Sequence, residues 1–227
     1  DCVIVDTTGW AHGDGGRALK RAKLDLVEPD LVILLQRGDE LEHLVSHLPS
    51  KKVLSLTVSK EASNTSQEIR RDLREEISGQ YFKEGAVRKF NLDNVVLDRV
   101  FLNSGTKMDN KNLDLLHMEK LPAWEGELVV FPDNVSDKHK KKVLSKHPRA
   151  KWFRPKYLKD VFVGLADKKG YCIAIGTITE IDFEKNTISI HTDMDEKNLK
   201  KVHLIQFGSI RYTTKGKEAG FVVPGTI

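Results

Sequence analysis

Residues 1–16 read DCVIVDTTGWAHGDGG, and this stretch decides the expected fold. Four apolar residues, Cys2 to Val5, run directly into an aspartate, and four glycines follow between positions 9 and 16. A short continuous apolar run is typical of a strand that is buried on both faces of a parallel sheet. The pattern therefore predicts a buried strand whose end presents polar groups and the indole of Trp10 to a ligand.

Strand-like and helix-like segments alternate along the chain after this stretch. The expected helices span residues 16–26 and 39–48, and the expected strands span residues 31–35 and 52–58. Such alternation indicates an α/β fold, part of a doubly wound parallel sheet. A strong amphipathic helix is predicted next, because Ser66 can cap it and apolar residues recur at every fourth position up to Tyr81. A further strand is expected over residues 94–102.

The pattern changes at about residue 121. From there β-branched runs are separated by turn signals such as DKKG at 167–170, which predicts a small antiparallel β domain, a barrel or a sandwich. We therefore expect two domains, residues 1–120 and residues 121–227. A basic, helix-like insert, residues 136–160, lies between the first two strands of the second domain.

Composition excludes several classes of protein. With 39% apolar residues the chain can build a core, and no apolar run is long enough to span a bilayer, so we expect no membrane partner. The two cysteines, Cys2 and Cys172, lie in apolar runs, which favours buried free thiols in a reducing compartment, the cytoplasm or, in a eukaryote, the nucleus. Cysteine and histidine show no metal-ligand spacing.

Asp6 follows the first apolar run directly, as does the acidic residue that holds Mg²⁺ in phosphate-transferring enzymes. Asp6 to Gly9 also fits an Asp-x-x-Gly element, in which the glycine N–H meets a terminal phosphate. The alternative is an aspartate that only closes the turn. Gly13 and Gly15 mark a glycine-rich turn at a helix start that can offer N–H groups to an anion. No Gly-x4-Gly-Lys-Ser/Thr loop and no guanine-reading Asn-Lys-x-Asp occur, which argues against a GTPase.

Trp10 and the arginines of the predicted helix are the other candidates for a site. An indole at the mouth of a glycine loop is either a stacking platform for a base or a plug beneath the loop. Arg70 and Arg74 share one helix face, where guanidinium groups can meet a phosphate, and Arg71 lies beside them. The alternative for all three arginines is a solvated face paired with acidic neighbours on the same helix.

Taken together, these motifs resemble the polynucleotide 5′-hydroxyl kinases, the P-loop RNA kinases related to the kinase subunit of mRNA cleavage and tRNA splicing complexes. The segment IVDTTGWAHGDGGRAL at 4–19 resembles the family's Asn-Thr-x-Gly-Trp loop. PDLVILLQ at 29–36 looks like the strand that follows, and TSQEIRRDLREEISGQYF at 65–82 resembles the family's arginine-rich lid. The β-rich tail is similar to the family's C-terminal domain.

The resemblance implies an enzyme that transfers the γ-phosphate of ATP, with Mg²⁺, to the 5′-hydroxyl end of RNA or DNA. It implies that Trp10 clasps the terminal base and that Arg70 stabilises charge on the migrating phosphoryl group, with Arg71 and Arg74 at other lid arginines. The indole and the lid would then share one pocket. It also implies partners, namely an upstream P-loop segment of the same protein and subunits of an RNA-processing complex.

The sequence departs from the family pattern at several positions. The first lid arginine is Thr65 here, the asparagine before Thr-x-Gly-Trp is Asp6, and a loop lysine is His12. The family's phosphate-binding loop and principal metal carboxylate precede the tryptophan loop and would lie upstream of residue 1, so we expect this chain alone to be inactive. The alternative function is a catalytically inactive, kinase-like scaffold or nucleic-acid-binding subunit.

The basic insert is a second candidate for contact with nucleic acid. Residues 138–159 contain ten Lys and Arg residues, with Trp152, Phe153 and Tyr157 between them. Cations beside aromatic rings are typical of surfaces that follow a nucleic-acid backbone and stack its bases. The alternative is an amphipathic helix whose charged face is simply solvated.

Overall fold

The computed structural model describes residues 2–62, 66–110 and 113–223, which form two compact units. The first unit comprises residues up to 62, and the second begins at Ser66. The predicted lid helix therefore belongs to the same compact unit as the β-rich tail. The domain boundary expected near residue 120 remains a prediction.

The first unit contains helix α1, Gly13–Val27, and strands β1, Val32–Gln36, and β2, Val53–Thr57. The two strands pair in parallel, as the alternation of elements predicted. Helix α1 ends because Glu28 adopts the left-handed conformation and Pro29 follows it. A small core of Ala11, Leu34, Leu44 and Val45 holds this unit together.

Two expectations for the first unit were wrong. Residues 2–5 form no strand, because they join no ladder of the described residues, and Val3 and Ile4 are largely exposed. Residues 39–48 form only a single 3-10 turn at Glu42–Leu44. The reason is local competition: the Glu40 carboxylate accepts the N–H groups of residues 37 and 38, and the Gln36 amide oxygen accepts that of residue 41.

The second unit begins with helix α2, Gln67–Phe82, and this prediction is confirmed. Ser66 caps the helix as expected, since its hydroxyl accepts the N–H of Ile69 at 3.2 Å. The basic insert, which was expected to be helix-like, forms helix α3 over Asp137–Lys146, and Ser136 caps this helix in the same way.

Eleven strands build the two sheets of the second unit. Their bounds are β3 Ala86–Asn91, β4 Val96–Asp98, β5 Thr106–Lys107, β6 His117–Leu121, β7 Gly126–Val130, β8 Lys151–Phe153, β9 Val161–Ala166, β10 Cys172–Asp182, β11 Thr187–Thr192, β12 Leu204–Tyr212 and β13 Glu218–Phe221. The larger sheet has the order β13-β12-β9-β10-β11-β3, with β4 paired to β12, and the smaller has the order β5-β6-β7-β8.

The predicted antiparallel β domain is confirmed in its main lines, with two parallel pairs that the sequence did not reveal. Strands β9, β10 and β11 form the antiparallel meander, whereas β4 runs parallel to β12 and β8 runs parallel to β7. The strand expected over residues 94–102 is reduced to β4, because Arg99 adopts a left-handed conformation that ends it. The α/β class expected for the chain is confirmed.

Strand β7 lies at the centre of this unit. Leu128 and Val130 enter the main core, which is shared with the larger sheet, while Val129 packs on the other face with Val143 of α3. A strand buried on both faces accounts for the continuous apolar run at this position. The two sheets therefore pack over one core, and α3 covers the outer face of the smaller sheet.

Both cysteines are free, and both are exposed, so the expectation of buried thiols was wrong. Cys2 lies in the segment that forms no strand, and Cys172 stands at the end of β10 beside a register shift. Among the described residues, no helix is both long and apolar enough to cross a membrane.

A buried carboxylate organises the loop before β5. Glu119 is fully buried, and its two oxygens accept the N–H groups of Asn103 at 2.8 Å and Gly105 at 2.9 Å. His117 Nε2 lies 3.2 Å from Oε1. Desolvation acts to raise the pKa of Glu119, but the hydrogen bonds from His117, Gly105 and Asn103 outweigh it and leave the pKa below its ordinary value.

Ion pairs join α2 to the hairpin of β12 and β13. The Glu75 carboxylate accepts from Lys217 Nζ at 2.8 Å and from the Glu218 N–H at 3.0 Å, and Arg71 Nε lies 3.2 Å away. These donors lower the pKa of Glu75 to about 2, the Lys217 hydrogen bond being the largest cause. The carboxylate therefore stays ionised well into acid.

We expect Glu75 to contribute to acid sensitivity of the fold. Its pKa of about 2 lies below the ordinary 4.5. Its contribution to the free energy of unfolding is therefore complete above pH about 4.5 and is lost as the pH falls towards 2. Glu75→Gln should lower the urea midpoint at pH 7 and flatten its decline between pH 4.5 and 2. Glu76→Gln, an exposed neighbour, is the control. Equal acid profiles for the wild type and Glu75→Gln would contradict this role.

Candidate functional site

Trp10 lies on the surface of the first unit, with 56% of its area exposed. Its ring rests against the start of α1, because a Cβ added to Gly15 would lie 2.7 Å from Cζ2 and 2.8 Å from Cη2 of the indole. Only glycine permits this approach. The ring is thus held on one side by backbone and open on the other, which favours the stacking platform over the buried plug.

The glycine turn has the shape that the sequence predicted. Gly13 has φ of 68°, the left-handed region that side chains disfavour, and Gly16 packs so closely on Ala11 that a Cβ would lie 2.9 Å from its carbonyl carbon. His12 stands at the N-cap and gives no side-chain cap hydrogen bond. Gly9 is exposed and has open space around its Cα.

Asp6 is an exposed carboxylate whose Oδ1 accepts the Thr7 N–H at 2.7 Å. Among the described residues, no group of three or more histidine, cysteine and acidic side chains is placed to hold a metal ion. A single exposed carboxylate nevertheless fits Mg²⁺, which keeps several waters and takes its other ligands from substrate phosphates. A role for Asp6 in holding the ion through water, where the ion would neutralise charge at the phosphates, remains a prediction.

Lys20 is a functional candidate that the sequence did not single out. Its ammonium reaches back from α1 to the loop, where Nζ donates to Thr7 Oγ1 at 2.6 Å and to the Thr8 carbonyl. Desolvation lowers the pKa of Lys20, repulsion from Lys23 acts in the same direction, and Asp6 opposes them. A cation is thus fixed beneath the segment between Asp6 and Trp10. The sequence signal for this contact is the position of Lys20, two helical turns after Gly13, the first residue of α1.

The arginines of α2 differ in their surroundings. Arg74 Nη2 lies 3.0 Å from Glu218 Oε2, and Arg71 donates to the Glu218 carbonyl as well as to Glu75. Arg70 is exposed in the first turn and makes no side-chain hydrogen bond or ion pair with the described part of the chain. The structure thus ties down two of the three predicted lid arginines and leaves Arg70 open to a ligand.

Glu218 and Lys217 were not predicted as partners of the lid. Glu218 lies 144 residues after Arg74, so only the fold brings them together. The sequence-based alternative, a helix paired with its own acidic neighbours, accounts for the contact between Arg71 and Glu75 but not for that with Glu218. Thr65, which stands where the family has its first lid arginine, lies outside the described residues.

Comparison with known proteins first shows what the N-terminal part of the chain is similar to. Residues 1–84 match the family model described as mRNA cleavage and polyadenylation factor CLP1 P-loop. The match includes the tryptophan loop, α1, the parallel strands and α2, although the 227 residues contain no phosphate-binding loop of the Gly-Lys-Ser/Thr type. This region is therefore similar to a P-loop family.

Relatives of known name extend the similarity to nearly the whole chain. The chain is 30% identical over 233 residues to a polyribonucleotide 5′-hydroxyl-kinase of Methanocaldococcus jannaschii, 32% over 230 residues to one of Pyrococcus abyssi, and 33% over 236 residues to one of Thermococcus kodakarensis. Each match covers 98% of this chain and 62 to 63% of the relative. The chain is related in sequence to this kinase family, and the resemblance is confirmed.

Among solved structures, the wild-type Clp1p–Pcf11p complex aligns with a TM-score of 0.44 and 9% identity, covering 88% of this chain and 43% of the other. A second Clp1p–Pcf11p structure gives a TM-score of 0.43 at the same identity, covering 86% and 42%.

Proposed function

We propose that the complete protein phosphorylates the 5′-hydroxyl end of RNA with ATP and Mg²⁺, and that this chain supplies the clasp and the lid. The observation that carries the proposal is the Trp10 ring, fixed on Gly15 and open to a base, within a loop that resembles that of the kinase family. The sequence relatives support it by their names. The chain spans about 62% of their length, so the activity belongs to the complete protein.

Each candidate residue has a role in this proposal. Trp10 stacks on the terminal base, Arg70 offsets charge on the migrating phosphoryl group, and Asp6 holds Mg²⁺ through water. Gly9, Gly13 and Gly15 let the loop approach the RNA end closely. Phosphoryl transfer depends on such positioning and charge neutralisation more than on covalent chemistry.

The first unit has exposed apolar side chains on its two strands and in its first residues. Leu35 of β1 and Leu56 of β2 are 62% and 41% exposed, and Val3 and Ile4 are also uncovered. Paired parallel strands with exposed apolar side chains are typical of a sheet that continues with further strands or helices. We propose that the P-loop segment of the complete protein covers this surface and brings the ATP phosphates to the site.

The test is transfer of label from γ-labelled ATP to a 5′-hydroxyl RNA oligonucleotide by the complete protein. The same oligonucleotide with a 5′-phosphate is the control acceptor, and a DNA oligonucleotide tests the choice of sugar. We expect transfer to the 5′-hydroxyl RNA alone among the two RNAs, and no transfer by the 227-residue chain by itself. No transfer by the complete protein would overturn the proposal.

A catalytically inactive scaffold is the second candidate function. The observation in its favour is that Arg71 and Arg74 are engaged by Glu75 and Glu218, and so do not present free guanidinium groups to a phosphate. RNA binding by the complete protein without any label transfer would favour this function. Subunits of RNA-processing complexes are then the partners that the family resemblance suggests.

Trp10→Ala in the complete protein is expected to raise the KM for RNA and leave the KM for ATP nearly unchanged. Base–aromatic stacking contributes about 1–3 kcal/mol, so the KM for RNA should rise roughly 5- to 150-fold. Trp10→Phe, which keeps a ring, should recover much of the loss. Steady-state kinetics with either substrate varied provide the measurement. An equal rise in both KM values would contradict a clasp specific for RNA.

A further inference from the structure

The basic insert folds into a groove on the second unit that the kinase site does not use. Its walls come from α3, β8 and the 3-10 turn at Pro155–Leu158, and its volume is about 700 Å³. The groove is lined by Asp137, Lys140, Ala150, Lys151, Trp152, Phe153, Arg154, Lys156 and Tyr157. All of these residues belong to one compact unit, so its shape is set within that unit.

The lining of the groove has more positive than negative charge. It includes Lys140, Arg154 and Lys156 and one carboxylate, Asp137, which pairs with Lys140 Nζ at 3.0 Å. The Lys151 ammonium lies over the rings of Phe101 and Trp124 instead, at 4.7 and 4.3 Å from their centroids. Val143 anchors α3 to the core, so Lys138, Lys141 and Lys142 remain exposed on the outer side of the helix. Of α3, the groove lining includes Asp137 and Lys140, so the exposed lysines add positive charge beside the groove rather than contacts within it.

Strand geometry directs an aromatic ring into the groove. Along β8, Phe153 points inward and is 3% exposed, so its neighbour Trp152 points outward and is 40% exposed. The indole makes an edge contact with Phe131, at 6.1 Å between ring centroids, and Lys140 Nζ lies 4.5 Å from its ring centroid. The ring is therefore held by Phe131 and has the Lys140 ammonium over one of its two faces.

A second ring, Tyr157, lies in the same wall and is 39% exposed. Arg211 of β12 holds it in place: Nη2 donates to the Tyr157 carbonyl at 2.6 Å, Nη1 donates to the Lys159 carbonyl, and the guanidinium carbon lies 5.0 Å from the ring centroid. The position of this ring is thus fixed by the sheet rather than by its own turn.

Arg154 adds a donor that the fold leaves unused. Its Nε is buried and has no hydrogen-bond partner in the described part of the chain, while Nη2 makes only a long contact, 3.5 Å, with the Val135 carbonyl. An unpaired buried donor is costly, and it is uncommon in folded proteins. Because Nε is buried, it is the Nη groups of this guanidinium that can meet an anionic ligand in the groove.

We propose that this groove binds single-stranded nucleic acid, with phosphates on Lys140, Arg154 and Lys156 and bases stacked on Trp152 and Tyr157. Two half-exposed rings in a cationic groove favour nucleic acid over an acidic peptide. Bases can stack on the exposed parts of the rings, whereas an acidic peptide would contact the cations without stacking on the rings. The proposal goes beyond the kinase reaction and does not depend on it.

The test is fluorescence anisotropy of the complete protein with a single-stranded oligouridylate that carries a 5′-phosphate and a 3′ dye. The 5′-phosphate removes the acceptor hydroxyl of the kinase reaction. Trp152→Ala should weaken binding at least about fivefold, from the loss of one stacked base, and Trp152→Phe should restore most of it. Lys156→Glu should weaken binding and reduce the dependence of log Kd on log salt.

Matched controls lie outside the groove on the β9–β10 turn. Tyr171→Ala removes a ring that is 70% exposed, and Lys168→Glu makes the same charge change as Lys156→Glu. Neither should alter binding. Equal losses of affinity in groove and control variants would overturn the proposal. A 20-residue polyglutamate would also overturn it, if this peptide competed as well as the oligonucleotide and its affinity fell equally with Trp152→Ala.

The outcomes for the groove and the kinase site are separable. Binding of the 5′-phosphorylated oligonucleotide that depends on Trp152, without label transfer to a 5′-hydroxyl RNA, would support the groove and overturn the proposed enzyme. Label transfer, with no effect of any groove variant on oligonucleotide binding, would support the proposed enzyme and overturn the groove. Since Lys156 is exposed, a failure of Trp152→Ala to fold leaves Lys156→Glu to decide the matter.

Discussion

Arg70→Ala in the complete protein is expected to lower kcat roughly 10³-fold, with little change in the KM for RNA or ATP. A guanidinium that meets the phosphoryl group in the transition state contributes a factor of this order in enzymes that transfer phosphoryl groups. Arg70 is the lid arginine whose side chain is not committed to an ion pair with the described residues. Its removal therefore costs transition-state stabilisation rather than folding free energy.

Single-turnover kinetics at saturating substrates provide the measurement. Arg70→Lys should recover only part of the loss, because an ammonium keeps the charge but not the planar pair of donors. Arg99→Ala removes a similarly exposed arginine elsewhere in the second unit and should leave kcat unchanged. A rate constant for Arg70→Ala within about threefold of the wild type would show that the lid acts through another residue.

Glu119→Ala is expected to lower the free energy of unfolding by about 3–5 kcal/mol. The carboxylate is buried and serves three donors, so alanine would leave two backbone N–H groups and His117 without their acceptor. The loop from Asn103 to Gly105 should then lose its fixed position. Urea unfolding at pH 7, followed by tryptophan fluorescence, measures the effect.

Two variants control for the substitution itself. Glu119→Gln keeps one acceptor oxygen, and it should cost less than alanine. Lys120→Ala changes the exposed neighbour on the same strand and should cost less than about 0.5 kcal/mol. A loss below 1 kcal/mol for Glu119→Ala would mean that water replaces the carboxylate at little cost.

Local signals made much of the fold predictable. The Ser66 cap and the apolar residue at every fourth position predicted α2, and the DKKG turn predicted the β9–β10 hairpin. Both predictions succeed because each signal acts within a few residues. The run Cys2 to Val5 shows the limit of such reasoning: its composition favours a strand, but a strand needs a hydrogen-bonded neighbour, and no described strand provides one.

The site was predictable in its exposed parts and not in its long-range contacts. Trp10 could be singled out because an indole beside glycines is difficult to bury, and the structure leaves it open. The pairing of Arg74 with Glu218 depends on how a hairpin packs on a helix 144 residues earlier. No periodicity in the sequence carries that information, and the same holds for the cradle of Glu119.

The contact between α2 and the turn after β12 has a consequence for movement. Gly216, with φ of 75°, lies so close to Gly79 that an added Cβ would be 2.2 Å from its amide nitrogen. Together with the ion pairs of Glu75 and Glu218, this close backbone contact opposes movement of α2 away from the hairpin. Such a movement would first have to break the contact and the ion pairs. In the role proposed for it, Arg70 would then reach a phosphoryl group by rotation about its own side-chain bonds, without movement of α2.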